Sequence, residues 1–256
     1  MILKDKVVVV TGAGPGMGQA LCRGAAREGA KVAIAARSAE AIAAIRDDIV
    51  AAGGEAIAVP TDVTDARQCR RLAEETVRAF GRIDGLVNSA YFHPPWCALE
   101  TADIDDTARA FDVIALGGLR MAQAVLPQMR ALGGGSIVNI STLATRKPMP
   151  LEGGYAMAKA ALAQLSRQLA IELSGSGIRV NTALMGWMDG APLDAYFASL
   201  GEAGAAAKAQ RALEVPVGHI PRDVDCAKSV YFLLSDYASE VTEAALDVNG
   251  GDWVAP

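Results

Sequence analysis

The chain has 256 residues, a formal net charge of −5 at pH 7, 52% hydrophobic residues and 21% charged residues. This balance excludes a disordered chain and is typical of a globular protein with one large domain or two small ones. The sequence has no long basic run and no interleaving of basic and aromatic residues, so it lacks the electrostatic pattern of a nucleic-acid-binding protein and is expected to bind a small molecule.

The N-terminal segment MILKDKVVVVTG runs directly into a strand pattern and does not have the layout of a signal peptide. No uninterrupted apolar run reaches the roughly 18 residues of a membrane span. We therefore expect a cytoplasmic protein without a membrane partner. The cysteines have no Cys-x-x-Cys spacing, which predicts buried thiols rather than a metal site or a disulfide framework.

Short β-branched runs flanked by Gly, Asp or Asn recur along the chain and are predicted to be strands buried on both faces. In chain order they are KVVVVTG, KVAIAAR, EAIAVPTD, DGLVNSA, GSIVNIST, IRVNTAL and EAALDVNGG. Segments rich in Ala, Leu, Arg and Glu separate them and predict helices, for example over 17–29, 39–52 and 65–80. This alternation predicts an α/β fold with a doubly wound parallel sheet and helices on both faces.

The composition does not break into a second domain, so we predict a single domain over 1–256. Residues 186–221 insert glycines, prolines and aromatic residues between the sixth strand and the next helix. Such an insert is a candidate lid over a binding site.

The first predicted strand runs into TGAGPGMGQAL, with glycines in a T-G-x-x-x-G-x-G pattern. Glycines at such a turn let the backbone approach a pyrophosphate, which then meets the free amides at the start of the following helix. We predict nucleotide binding by Gly12, Gly16, Met17 and Gly18.

The second predicted strand ends in AIAARSAEA and has no acidic residue. Ala36 stands where proteins that prefer NAD usually carry a carboxylate for the ribose 2'-hydroxyl. Arg37 and Ser38 could instead bind a 2'-phosphate through charge-assisted hydrogen bonds. We therefore expect NADP(H) to be favoured, with NAD(H) as an alternative. The other interpretation of Arg37 is a solvated side chain at the start of a helix that binds no cofactor.

In EGGYAMAKAAL, Tyr155 and Lys159 are four residues apart in a predicted helix, so their side chains share one face. Taken alone, such a pair fits an ordinary helix. Together with the glycine-rich turn, it resembles the short-chain dehydrogenase/reductase family, and the resemblance covers essentially the whole chain. The motifs that carry it, in order, are TGAGPGMG, TDVTD, LVNSA, SIVNIST, YAMAK, IRVNTALMG and LDVNGG.

The resemblance implies a Rossmann-like domain with a seven-stranded sheet, an NAD or NADP cofactor, and a homo-oligomer, either dimer or tetramer. It also implies further cofactor contacts beyond the glycine-rich turn. These are expected at Asp62, Val63, Asn88, Ala90 and Gly186, in addition to Tyr155 and Lys159.

By the same resemblance, Tyr155 exchanges a proton with a carbonyl or alcohol oxygen, while Lys159 binds the nicotinamide ribose and favours the phenolate. Thr142, thirteen residues before Tyr155, stands where the family usually has the serine that polarises the substrate oxygen. The adjacent Ser141 is the second candidate. No metal site is expected.

The chain departs from the family pattern at several positions. Tyr91 replaces a glycine in the loop after the fourth strand, and Gly190 replaces a threonine that often contacts the nicotinamide. Pro15 stands where many NADP-binding members carry a basic residue. Ile114 replaces the active-site asparagine, which leaves the family's proton relay incomplete.

Two loops that follow strands are rich in aromatic residues, and ligands of open α/β sheets bind at the ends of such strands. We predict a substrate pocket formed by Tyr91, Phe92, His93, Trp96, Trp187 and Tyr196. Plain packing between the loops is the alternative, and His93 is expected to pack rather than to catalyse.

These features predict an oxidoreductase that interconverts a ketone and a secondary alcohol on a bulky, largely apolar molecule. Reduction of a conjugated C=C bond is a second possibility, although it usually goes with a wider Tyr-Lys spacing in the family. A nucleotide-binding sensor with little turnover is the third, suggested by Ile114 and Gly190.

Overall fold

The computed structural model describes residues 1–253. All seven predicted strands form one parallel sheet in the order β3-β2-β1-β4-β5-β6-β7, which confirms the predicted fold class. The strands are β1 (Val7–Thr11), β2 (Lys31–Ala35), β3 (Ala56–Ala58), β4 (Gly85–Asn88), β5 (Gly135–Thr142), β6 (Ile178–Met185) and β7 (Ala245–Val248). Strand β1 pairs with both β2 and β4, so the strand order reverses beside it, where ligands of open α/β sheets bind.

Helices fill the connections between strands. They are α1 (Met17–Arg27), α2 (Ala39–Ala51), α3 (Ala66–Phe80), α4 (Ile104–Phe111), α5 (Gly117–Ala131), α6 (Gly153–Glu172), α7 (Ala191–Ser199), α8 (Gly204–Glu214) and α9 (Asp223–Leu234). A π-helical segment, Asp112–Leu116, joins α4 to α5. The three helices predicted from the sequence are therefore present, with ends that differ from the prediction by at most two residues.

Local capping explains several of these boundaries. The Asp65 carboxylate accepts a hydrogen bond from the Arg67 amide at 2.8 Å at the start of α3, and Asp103 accepts one from the Asp106 amide at 2.9 Å at the start of α4. Gly81 ends α3 in the left-handed conformation, at a φ of 82°. These contacts satisfy backbone groups that a helix end leaves unpaired.

The two faces of the sheet carry separate apolar cores. One core packs α1, α2 and α9 on the sheet, with Leu21, Ile42 and Val230 among its buried residues. The other packs α3, α5 and α6 on the opposite face. The continuous helix Ile104–Ala131 is long and apolar enough to cross a membrane by length and composition, and 39% of its most apolar window is buried. Met121 and Val125 of this helix are fully buried in the second core.

The insert at 186–221 folds mainly as α7 and α8. The Lys208 ammonium lies 2.5 Å from the Asp189 carboxylate and 2.7 Å from that of Asp194, and Arg211 pairs with Asp252. The Lys208 pairs lie within the insert, and the Arg211–Asp252 pair links α8 to the segment after β7.

Candidate active site

The turn between β1 and α1 has a backbone that only glycine allows. Gly12 has a φ of +69°, and a Cβ there would lie 2.4 Å from the Ala90 nitrogen. A Cβ on Gly18 would lie 2.1 Å from the Gly12 oxygen. The first amides of α1, at Met17 and Gly18, follow directly, and the amides of a helix's first turn have no partner within the helix. This cradle fits an anionic diphosphate.

A cleft of about 640 Å³, here called the main cleft, opens at the carboxyl ends of the central strands. It brings the glycine-rich turn together with the predicted catalytic residues and most of the predicted substrate residues. Its lining includes Gly12, Gly16, Met17, Gly18, Tyr91, His93, Trp96, Ser141, Thr142, Tyr155, Lys159, Gly186, Trp187 and Tyr196.

A second cleft of about 380 Å³, here called the side cleft, shares Gly12 and Tyr91 with the main cleft. It runs past the end of β2 and collects the predicted residues for the adenosine half of the cofactor. They are Ala36, Arg37, Asp62, Val63 and Ala90. Arg37 is exposed here, next to the position that lacks a carboxylate.

The side chains of Ser38, Asn88 and Phe92 do not lie where the predicted cofactor or substrate contacts would place them. The Ser38 hydroxyl caps α2 by accepting from the Ala41 amide at 3.3 Å, and Ser38 lines neither cleft. The Asn88 amide donates to Asn139 across the β4-β5 pair at 2.8 Å, because strand alternation turns it into the interior.

Phe92 is the third. It lines the side cleft rather than the main cleft, and the Arg109 guanidinium lies 4.2 Å from its ring centre. Its ring also packs on the apolar cluster that contains Ile114. The side chain next to it in sequence, His93, faces the main cleft instead.

Tyr155 and Lys159 lie on α6, where burial controls both groups. The Lys159 ammonium donates to the Ile140 carbonyl at 2.7 Å, and burial lowers the pKa of Lys159 to about 7. Burial raises the pKa of Tyr155, and the nearby Tyr91 and Glu152 act in the same direction. In the free chain, burial is the largest effect on the Tyr155 pKa and favours the neutral phenol. The role of Lys159 in favouring the phenolate stays a prediction for the cofactor-bound enzyme. Tyr155 is a neutral acid at pH 7.

Two hydroxyl groups end β5, and they differ in their access to the main cleft. The Ser141 hydroxyl is buried, without a hydrogen-bond partner in the part of the chain that the structure describes. Thr142 is half-buried, and its oxygen accepts from the Ala144 amide at 3.3 Å, which leaves its proton free to donate. Thr142 is thus the hydroxyl better placed to meet a substrate oxygen.

A line of aromatic rings crosses the main cleft from Tyr155 to the insert. His93 stacks on Tyr155 with ring centres 4.6 Å apart, and Trp96 stacks on His93 at 4.8 Å. Tyr196 lies 6.3 Å from Trp96, and Trp187 lies 5.9 Å from Tyr196. The two loops therefore form one continuous wall, which we call the aromatic wall.

Two more residues bear on the chemistry. Ile114 is 2% exposed and packs with Ala110, Ala158 and Leu162, so no polar group replaces the missing asparagine side chain at this point.

Glu152, which the sequence analysis missed, is buried and lines the main cleft one helical turn before Tyr155. A carboxylate at that spacing from the tyrosine was the available signal in the sequence.

Within residues 1–253, no group of three or more His, Cys, Asp or Glu side chains is arranged to hold a metal ion.

Comparisons with known proteins agree with this geometry. A family model described as enoyl-(acyl carrier protein) reductase matches residues 12–252. An uncharacterized oxidoreductase of Methylorubrum extorquens is 38% identical over 97% of this chain and 98% of its own. The cis-4-hydroxycyclohexanecarboxylate dehydrogenase of Sinomonas cyclohexanicum is 36% identical over 96% of both chains.

Among solved structures, a protein from Burkholderia xenovorans described as a short-chain dehydrogenase/reductase superposes with a TM-score of 0.91. It is 32% identical, over 98% of this chain and 97% of that one. The chain belongs to the short-chain dehydrogenase/reductase family and is an oxidoreductase acting on CH-OH or C=O groups.

Proposed function

We propose that the protein is an NADP(H)-dependent enzyme that interconverts a cyclic ketone and the corresponding secondary alcohol. The observation that carries the proposal is that Thr142, Tyr155 and Lys159 share one cleft with the glycine-rich turn. A proton-transfer group and a dinucleotide cradle in the same cleft are the two parts that this reaction needs.

The residues present fit a nicotinamide dinucleotide. Gly12, Gly16 and Gly18 leave the space beside α1 that a diphosphate requires, since a Cβ at Gly12 or Gly18 would strike backbone. Asp62 and Val63 line the side cleft, where the adenosine half would be held. When bound, the nicotinamide supplies or accepts the hydride.

The chain's own groups then manage the substrate oxygen. The Thr142 hydroxyl donates to this oxygen and orients it. The Tyr155 hydroxyl donates its proton to the oxygen during reduction and becomes a phenolate, and the phenolate takes the alcohol proton during oxidation. Because burial raises the pKa of Tyr155, the protonated form that reduction needs is the one present at neutral pH.

The preference for NADP(H) rests on the end of β2. Ala36 and Arg37 line the side cleft there, and no carboxylate stands at position 36 to accept from a free 2'-hydroxyl. An exposed guanidinium can bind a phosphate through paired charge-assisted hydrogen bonds.

The preference for a ring substrate rests on the aromatic wall and on the size of the main cleft, about 640 Å³. Flat rings stack well on the faces of aliphatic and aromatic cycles. A relative that is 36% identical is named for its action on a hydroxylated cyclohexane ring. We also propose a cytoplasmic homo-oligomer, by analogy with the family.

The experiment is a steady-state assay of reduced-nicotinamide absorbance with cyclohexanols, cyclohexanones and a conjugated enone, each with both cofactors. The proposal expects turnover of alcohols and ketones, with NADP(H) giving the higher kcat/KM. Turnover of the enone alone would support the C=C reductase suggested by the family model's description. Cofactor binding without any turnover would support the sensor.

A further inference from the structure

The main cleft contains a carboxylate that the proton transfer does not use. Glu152 is 8% exposed and lines the main cleft together with Tyr155 and His93. No group within residues 1–253 donates a hydrogen bond to its carboxylate or pairs with it as a cation. Its oxygens reach the open main cleft, where a ligand can supply the donor that the chain does not.

The backbone before Glu152 is also strained. Leu151 has a φ of 69°, in the left-handed region that bulky residues avoid. Glu152 comes directly before α6 but does not use its side chain to cap the helix. The Glu152 side chain lines the main cleft and leaves the free amides of its own helix uncapped.

The neighbours of Glu152 define where a substrate would meet it. Tyr155 is one helical turn further along α6, and the Glu152 charge contributes to the raised pKa of Tyr155, so the two groups are close. His93 stacks on Tyr155 with ring centres 4.6 Å apart. Burial raises the pKa of Glu152, and the nearby His93 acts in the opposite direction. His93, Glu152 and Tyr155 also line a small cavity of about 180 Å³ behind the main cleft.

A hydroxyl group is the donor that suits this position. A neutral hydroxyl can donate to the carboxylate without desolvating a second charge, whereas a cationic ligand would have to lose its hydration in the cleft. The oxygen that reacts at Tyr155 and the hydroxyl at Glu152 would then belong to the same small ring.

We propose that Glu152 is a specificity residue that accepts a hydrogen bond from a second hydroxyl group of the substrate, so that the preferred substrates are cyclic diols and hydroxyketones. This inference rests on the proposed function and refines its substrate class, from a largely apolar ring to a ring with a second polar group.

The test compares cyclohexanol with the cyclohexane-1,2-, 1,3- and 1,4-diols in the wild type and in two variants, Glu152→Leu and Glu152→Gln. For the best diol, the ratio of its kcat/KM to that of cyclohexanol is expected to fall at least tenfold in Glu152→Leu. Glu152→Gln keeps an acceptor oxygen and is expected to lose less. The matched control is Glu100→Gln, an exposed glutamate in the turn Leu99–Thr101, which should leave the ratio unchanged.

A second readout does not depend on turnover. If Glu152 serves a ligand, removing the unpaired carboxylate should raise the melting temperature of the substrate-free protein in Glu152→Leu. A lower melting temperature together with an unchanged ratio would show a structural role and overturn the inference, while alcohol oxidation would still support the proposed function. Absence of turnover with every alcohol would overturn both.

Discussion

Lys159 and Tyr155 illustrate how burial sets the state of a catalytic pair. Each side chain is charged in one of its two forms, and burial disfavours that form in both cases. The pKa of Lys159 falls to about 7 and that of Tyr155 rises, so the free chain holds a neutral phenol beside an ammonium that loses its proton readily. The pair is arranged for donating a proton to a substrate oxygen.

This state predicts a pH dependence of stability. The folded pKa of Lys159, about 7, is below the value near 10.4 of an unfolded lysine, so between these pH values the unfolded chain holds more protons. The free energy of unfolding of the wild type should therefore rise from pH 7 to pH 10 relative to Lys159→Met, by up to about 1.4 kcal/mol per pH unit. Urea denaturation at several pH values measures the difference, with Lys4→Met as the exposed control. A difference that does not change with pH would show that the ammonium is not desolvated.

Ala36 and Arg37 predict the cofactor preference at a single position. Ala36→Asp introduces a carboxylate that repels a 2'-phosphate and accepts from a free 2'-hydroxyl. The ratio of kcat/KM for NADPH to that for NADH should fall by about tenfold or more, corresponding to about 1.4 kcal/mol. Arg37→Met should weaken NADPH binding and leave NADH nearly unaffected. A wild-type protein that already binds NADH more tightly than NADPH would refute this assignment.

At the scale of elements, the π-helical segment Asp112–Leu116 carries Ile114 into an apolar cluster beneath α6. The variant Ile114→Asn would bury an amide among Ala110, Ala158 and Leu162 without polar partners. We expect it to lower the free energy of unfolding by about 1 to 3 kcal/mol and not to raise kcat. Ile114→Val is the control for lost volume. A higher kcat in Ile114→Asn would mean that the missing relay limits turnover, and turnover that appears only in the variant would favour the sensor interpretation of the natural chain.

The insert that carries α7 and α8 is predicted to act as a lid through Trp187. The centre of the Trp187 ring lies 5.9 Å from the ring centres of Tyr196 and Phe197. The Arg211 guanidinium lies 5.2 Å from the centre of the Trp187 ring. Trp187→Ala should raise KM for bulky ring substrates more than for small ones, by about 1 to 3 kcal/mol in binding. Trp187→Phe keeps a ring and should be affected less. An equal effect on all substrates would mean that Trp187 only holds the insert in place.

At the scale of the whole molecule, the sequence predicts the sheet well because the central strands β1, β4, β5 and β6 are short, almost wholly buried runs rich in apolar residues. The glycine-rich turn is also predicted well from the sequence, because close backbone contacts at Gly12 and Gly18 leave no room for a side chain. The direction in which a side chain points is harder to predict. Phe92 and His93 are neighbours in sequence and line different clefts.

Two site features depend on the complete fold. The role of Asn88 follows from its register with Asn139 across β4 and β5, which the sequence does not display. Glu152 lines the main cleft directly after Leu151, whose left-handed backbone is a conformation that no residue-type preference would suggest.

The central claim is that Tyr155, held in the main cleft, transfers the proton in the nicotinamide-dependent interconversion of an alcohol and a ketone. Its most direct test is the rate of reduced-nicotinamide formation from a cyclohexanediol in the wild type and in Tyr155→Phe, with cofactor binding followed in parallel by tryptophan fluorescence. We predict unchanged cofactor affinity and a loss of kcat of about two or more orders of magnitude in the variant. Near-normal turnover in Tyr155→Phe would contradict the account.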